Sequence, residues 1–157
     1  MAANSINPKT VTDALLALIQ TALVPTDIAQ EVIDYWTANL DGQISVAMIL
    51  YAGEDPQSKQ LDGSKLDTWV HIEIHVWVLY KHDASSWTPS NAETRRAAIA
   101  TAIKNVVVDN RGKAQNANVP WDFLTFDGRS NAGDVNDDNG APYLLEIIPL
   151  KARTING

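Results

Sequence analysis

The sequence predicts an α+β fold: an antiparallel (mixed) β-sheet of about four strands with helices packed on one face. Three observations carry this expectation. Helical periodicity is confined to separate blocks, Thr68 to Tyr80 alternates strictly with period two, and further strand-like apolar segments lie between the blocks in the order α-α-β-β-α-β-β. At 157 residues the chain has room for one continuous core, so a single domain spanning 1–157 is expected.

Taken in order, residues 11–23 place Val11, Ala14, Leu15, Leu18, Ile19, Ala22 and Leu23 on one helical stripe, with Thr10 or Thr12 as N-cap and Pro25 beyond the end. A second helical pattern over 26–39 rests on Ile28, Val32, Ile33 and Trp36, with Thr26 as its cap and Asp27 at the positive helix end. Asp41-Gly42 reads as a turn into a buried strand, 43–52, followed by a loop from Gly53 to Asp67.

The strand 68–80 spans roughly 40 Å at ~3.3 Å per residue, about twice the usual length. One of its faces is wholly apolar or β-branched, whereas the other carries Trp69, His71, Glu73, His75 and Trp77. Water does not favour the two tryptophans and an apolar interior does not accept the three polar groups, so partial cover by a second subunit is expected on this face. Ser90 and Glu93 fit a capping box that opens a helix over 91–107, and Ala92, Ile99, Ala100, Ile103 and Val107 form its core stripe. Strands at 121–126 and 142–150 should then pair as a hairpin around a long loop, 127–141. Pro149 cannot donate to a ladder, which puts the last strand at an edge or interrupts it there by a bulge.

Composition narrows the function. Without cysteine there are no disulfides, thiolate metal sites or cysteine nucleophiles. The net charge of −7 opposes sequence-specific nucleic-acid binding and anionic lipid, and no apolar run approaches the ~20 residues needed to cross a bilayer. No serine sits in a nucleophile elbow and no glycine spacing forms a phosphate loop, so no enzyme activity and no cofactor are expected.

Two weak metal candidates stand out. His71, Glu73 and His75 lie on one side of a strand, but residues four apart are too distant to share an ion unless the strand bends, and Glu73 could instead hold either histidine by a hydrogen bond. Asp134, Asn136 and Asp138 resemble the start of a calcium loop, yet Asn139 and Leu145 occupy the positions where that motif needs glycine and glutamate. The bland reading is a solvated hairpin tip. Within 127–141, Asp127, Asp134, Asp137 and Asp138 outnumber Arg129, which makes the loop a candidate docking surface for a basic partner. Residues 68–121 are net basic and the first 41 residues net acidic, a division that suits head-to-tail contacts between copies.

Val11 to Leu23, Ile44 to Tyr51, Trp69 to Tyr80, Ala92 to Val107 and Tyr143 to Leu150 follow an order that resembles the tail terminator proteins of long-tailed bacteriophages, the lambda-like tail completion (neck) family. The resemblance rests on element order across nearly the whole chain. It implies a structural virion protein of the tail or neck, made in the host cytoplasm, which forms a homo-oligomeric ring, a hexamer, that caps the tail tube protein and receives the head-tail connector protein. The segment 26–39 and the loop 127–141 depart from the family pattern, which leaves a neck or connector subunit as the alternative. A small calcium- or metal-binding module is the alternative from another class.

Overall fold

A computed structural model describes residues 7–55, 66–81 and 86–156. Two helices, α1 (Pro8–Leu23) and α2 (Pro89–Asp109), pack on one face of a six-stranded, mostly antiparallel mixed sheet. Its strands are β1 (Glu31–Ile33), β2 (Ser45–Glu54), β3 (Leu66–Leu79), β4 (Phe123–Phe126), β5 (Asn131–Asn136) and β6 (Pro142–Asn156). The order is β1-β2-β3-β6-β4, with β5 also paired to β6, and only β1 runs parallel to its neighbour. The class is thus the expected α+β, with more strands than the sequence suggested. Most of the expected loop 53–67 lies outside the described residues.

Both helices begin earlier than their apolar stripes suggest, because proline sets the first turn. Asn7, rather than Thr10 or Thr12, caps α1 by accepting from Lys9 N at 3.0 Å, with Pro8 at the first helical position. Thr88 caps α2 by accepting from Asn91 N at 3.2 Å ahead of Pro89, so Ser90 lies inside the helix and Glu93 pairs with Arg96 instead of closing a capping box.

The expected helix over 26–39 is absent. Asp27 takes a positive φ of 56°, and the amides of Ile28 and Ala29 both bond back to Leu23 O, which turns the chain at the end of α1. Glu31, Val32 and Ile33 then pair with Val46, Ala47 and Met48. Val32 is buried under the helices and Ile33 on the opposite side of the sheet, so two adjacent apolar residues serve two faces. Their coincidence with helical spacing misled, and Trp36, which a helix would have turned inward, is 61% exposed.

The spine is β3 against β6, in register from Leu66↔Asn156 to Leu79↔Tyr143. Val70, Ile72, Ile74, Val76 and Val78 bury fully beneath Leu15, Ile19, Ile99 and Ile103, each such side chain contributing roughly 1.5–3 kcal/mol by area. Glu146 of β6 reaches the same layer and is held by Arg96, which also binds Glu93. On the other side of β6, β4 and β5 lie end to end as one interrupted edge, not as the partner strand of a single hairpin. Pro149 is not at an edge. It stands opposite Glu73, and its carbonyl accepts from Asp127 N within the interruption. The missing N–H therefore falls where no ladder bond is needed.

A smaller cluster forms on the side of the sheet away from the helices, where Ile33, Leu40, Val46, Met48, Trp77, Leu79 and Tyr143 pack together. The buried Tyr143 hydroxyl donates to Gln43 O at 2.7 Å; burial pushes its phenol up to about 12, and the Asp137 charge adds to the shift. Because the folded value lies above the ordinary one, the associated stability is fully present below the unfolded value near 10 and is lost as pH rises toward about 12. Unfolding by denaturant should show this as a loss of about 2–3 kcal/mol over that window. Tyr143→Phe should be about 1 kcal/mol weaker at pH 9 but lose less on going to pH 11.5. Equal losses in the two proteins would show that Tyr143 is not the titrating group.

Candidate interaction face

The face of the sheet away from the helices is built by strand alternation. Even-numbered residues of β3 turn toward α1 and α2, which leaves Trp69, His71, Glu73, His75 and Trp77 on the other side. The register then adds Met48 and Leu50 from β2, Leu145, Ile147, Pro149, Lys151 and Arg153 from β6, and Phe123 and Thr125 from β4.

This face has two halves. At the Trp77 end the chain covers itself: Trp77 is 5% exposed and meets Tyr143 edge to face, with centroids 6.0 Å apart. The cover is the segment before β2, tied to the turn after β5 by Asp138 N donating to Ala38 O at 2.8 Å and by the Asn139 side-chain amide donating to Asn39 Oδ1 at 3.3 Å. Trp77 is therefore a core residue, not a surface open to a second subunit as the sequence suggested, and its buried indole nitrogen has no hydrogen-bond partner among the described residues.

Past His75 no described segment lies over the sheet. Trp69 and Phe123 meet edge to face at 6.5 Å, Lys151 Nζ lies 4.8 Å from the centre of the Trp69 ring, and Phe123 is 43% exposed. Arg153 makes two hydrogen bonds to Asp67, at 2.8 and 2.7 Å, which hold its guanidinium proton more firmly than usual. The face thus presents an aromatic pair bordered by neutralised charge, a composition suited to burial against protein.

The histidines are engaged one by one. His75 Nε2 lies 3.0 Å from Glu73 Oε1, the hydrogen-bonded arrangement that competed with a metal site in the sequence reading. His71 Nδ1 meets Asp127 Oδ2 at 3.1 Å, and Lys151 lies 4.0 Å from the other oxygen of that carboxylate. Among the described residues no three acidic or histidine side chains converge on a point where an ion could sit. Asp134 and Asn136 lie on β5 and Asp138 in the turn beyond it, so the calcium-loop pattern is spread along a strand.

The docking loop changes character as well. Residues 131–136 are laddered to β6, and Asp137 is 7% exposed, its Oδ1 accepting from the amides of Asn139 and Ala141. Asp127 is spent on His71, which leaves Arg129, Asp134 and Asp138 exposed. Replacing 127–141 by a two-residue turn would strip away an edge strand, so the segment is more than a solvated hairpin tip. Phe123 does not stand out as a site residue in the sequence, and Asp127, expected in the docking loop, is found beside His71; both meet this face only through the β3–β6–β4 register.

No family model and no curated protein sequence matches this chain. Among solved structures, the chain is similar to one described as the virion of a native gene transfer agent particle, at 17% identity and a TM-score of 0.43, over 91% of this chain and 84% of the other. It is also similar to the sheath/tube terminator of an extracellular contractile injection system in its extended state, at 15% identity and a TM-score of 0.43, over 97% of this chain and 57% of the other. This chain thus spans less than two thirds of the second structure's length.

The division of the face predicts opposite responses at its two ends. Trp77→Ala should cost about 3–5 kcal/mol and lower the melting temperature by roughly 10 °C, whereas Phe123→Ser should stay within about 1 kcal/mol of the parent. The reverse ranking in thermal melts would show that the covered half is not core. Melting should also be the same in chelator as in millimolar calcium, because a bound ion in excess would raise it measurably.

Proposed function

We propose that the chain is a non-enzymatic structural subunit of a phage-type tail, a tail terminator that forms a ring with copies of itself, caps the tail tube and meets a head-side connector. One observation carries the reading. The Trp69–Phe123 half of the sheet has aromatic side chains and no cover from any described segment, whereas the Trp77 half is closed by the 34–44 segment. A subunit that buries the open half against the next copy would complete a second core layer on the same sheet. The element order seen in the sequence fits the same family, and the opposite net charges of the first 41 residues and of 68–121 favour contacts between different surfaces of neighbouring copies, the arrangement that closes into rings.

The alternative metal-binding module has no geometric support. Asp134 is on a paired strand and Asp138 in the turn beyond it, and the histidines are already bonded to Glu73 and Asp127.

Native mass spectrometry at micromolar concentrations should find a closed oligomer of about six copies. Trp69→Glu combined with Phe123→Glu should reduce it to monomers with unchanged circular dichroism, since each desolvated charge at such a contact costs several kcal/mol. A parent protein that stays monomeric, or a double variant that assembles like the parent, would refute the reading.

A further inference from the structure

β5 is an edge strand that no described segment covers. Asn131, Gly133 and Val135 stand opposite Ile147, Leu145 and Tyr143. These belong to the odd-numbered set of β6 residues whose polar groups face this side, as the bonds from Asp127 N to Pro149 O and from Asp122 N to Arg153 O show. The even-numbered Pro142 instead turns its carbonyl to Tyr80 N. The N–H and C=O groups of Ala132, Asp134 and Asn136 therefore point away from β6, a row of donors and acceptors with no partner among the described residues.

Parts of the other described edges are engaged. The Gln20 side chain donates to Val32 O of β1 at 3.0 Å, and Leu124 N of β4 donates to Arg111 O at 2.8 Å. From 131 to 136 there is no proline, lysine or register shift, the features that normally keep an edge from pairing.

The two sides of this edge differ in chemistry. Toward the helix layer Asp134 is exposed and no described side chain pairs with it, with Asp138 beyond it and Arg129 before the strand; the whole chain carries −7. On the other side Gly133 leaves open space where a Cβ would stand, at the floor of a hollow of about 150 Å³ bordered by Asn131, Val135, Leu145 and Ile147. A strand laid along β5 would place one set of side chains beside Asp134 and the alternate set over this hollow.

We infer that β5 receives an extended segment of a partner protein in which basic and apolar residues alternate, the basic ones facing Asp134 and an apolar one filling the hollow over Gly133. Backbone bonds to Ala132, Asp134 and Asn136 give the attachment, and the two faces give the selection. The hollow lies on the same side of the sheet as the Trp69–Phe123 pair but at its β5 edge, beside His75 and Trp77, and the site does not depend on the ring.

The test uses the full chain with two seven-residue peptides, one alternating lysine with valine and one alternating glutamate with valine. Amide exchange read by NMR should slow by about tenfold or more at residues 132, 134 and 136 with the lysine peptide, which should bind about fivefold more tightly than the glutamate one. Ala132→Pro removes an N–H that β6 does not use and should abolish the protection, and Gly133→Val should fill the hollow and weaken binding. If Ala132→Pro fails to fold, Asp134→Lys decides, since it should reverse the preference between the peptides. Equal binding of both peptides, protection at other residues, or unchanged binding to Ala132→Pro would overturn the inference. So would protection of these amides that rises with protein concentration alone, since the occupant would then be a second copy.

Discussion

Everything in this molecule follows from the β3–β6 ladder, which runs unbroken from Leu66↔Asn156 to Leu79↔Tyr143. A sheet of that length has two faces to protect from water, and the described residues form two helices, enough for one. The helix-side face is closed along its length by α1 and α2. Among the described residues the other is closed at one end, by the short crossover through β1 and the segment ahead of β2. Among the described residues the division between the covered and the open half of this face falls near His75, between Trp77 and Trp69.

The same constraint explains the edge. β6 must be flanked over fifteen residues, but its outer neighbour is two short strands with a break between them. The break falls opposite Pro149, where the ladder loses nothing, and it frees Asp127 to cross to His71. β4 is then tied to the stretch after α2 through Arg111, and Trp121 is fixed under it by donating to Asn110 O at 2.7 Å. β5 has no such companion, which leaves its outer side unpaired.

Where a segment's own chemistry decides its structure, the sequence is readable. The alternation from Thr68 to Tyr80 and the stripe from Val11 to Leu23 both find their place, because burial on one face leaves a strong periodic signal. Where long-range pairing decides, it is not. Asn-Ala-Gly-Asp-Val-Asn has little strand propensity and becomes β5 through its ladder to β6, and the extension of β6 through Lys151 to Asn156 is carried by pairing with β3. Val32 and Ile33 imitate a helix because they serve opposite faces of one short strand. The candidate face was legible as a set of five odd-numbered residues, but not the fact that Trp77 is sealed by Tyr143 while Trp69 rests against Phe123.

The central claim is that the uncovered half of this sheet meets another copy. Hydroxyl-radical footprinting of the assembled and dissociated protein addresses it residue by residue, with the exposed Tyr35 and Trp36 as internal references. The account predicts that oxidation of Trp69 and Phe123 falls several-fold on assembly while Tyr35 and Trp36 react as before and Trp77 stays protected in both states. Trp69 and Phe123 remaining as reactive in the oligomer as in the dissociated chain would contradict it.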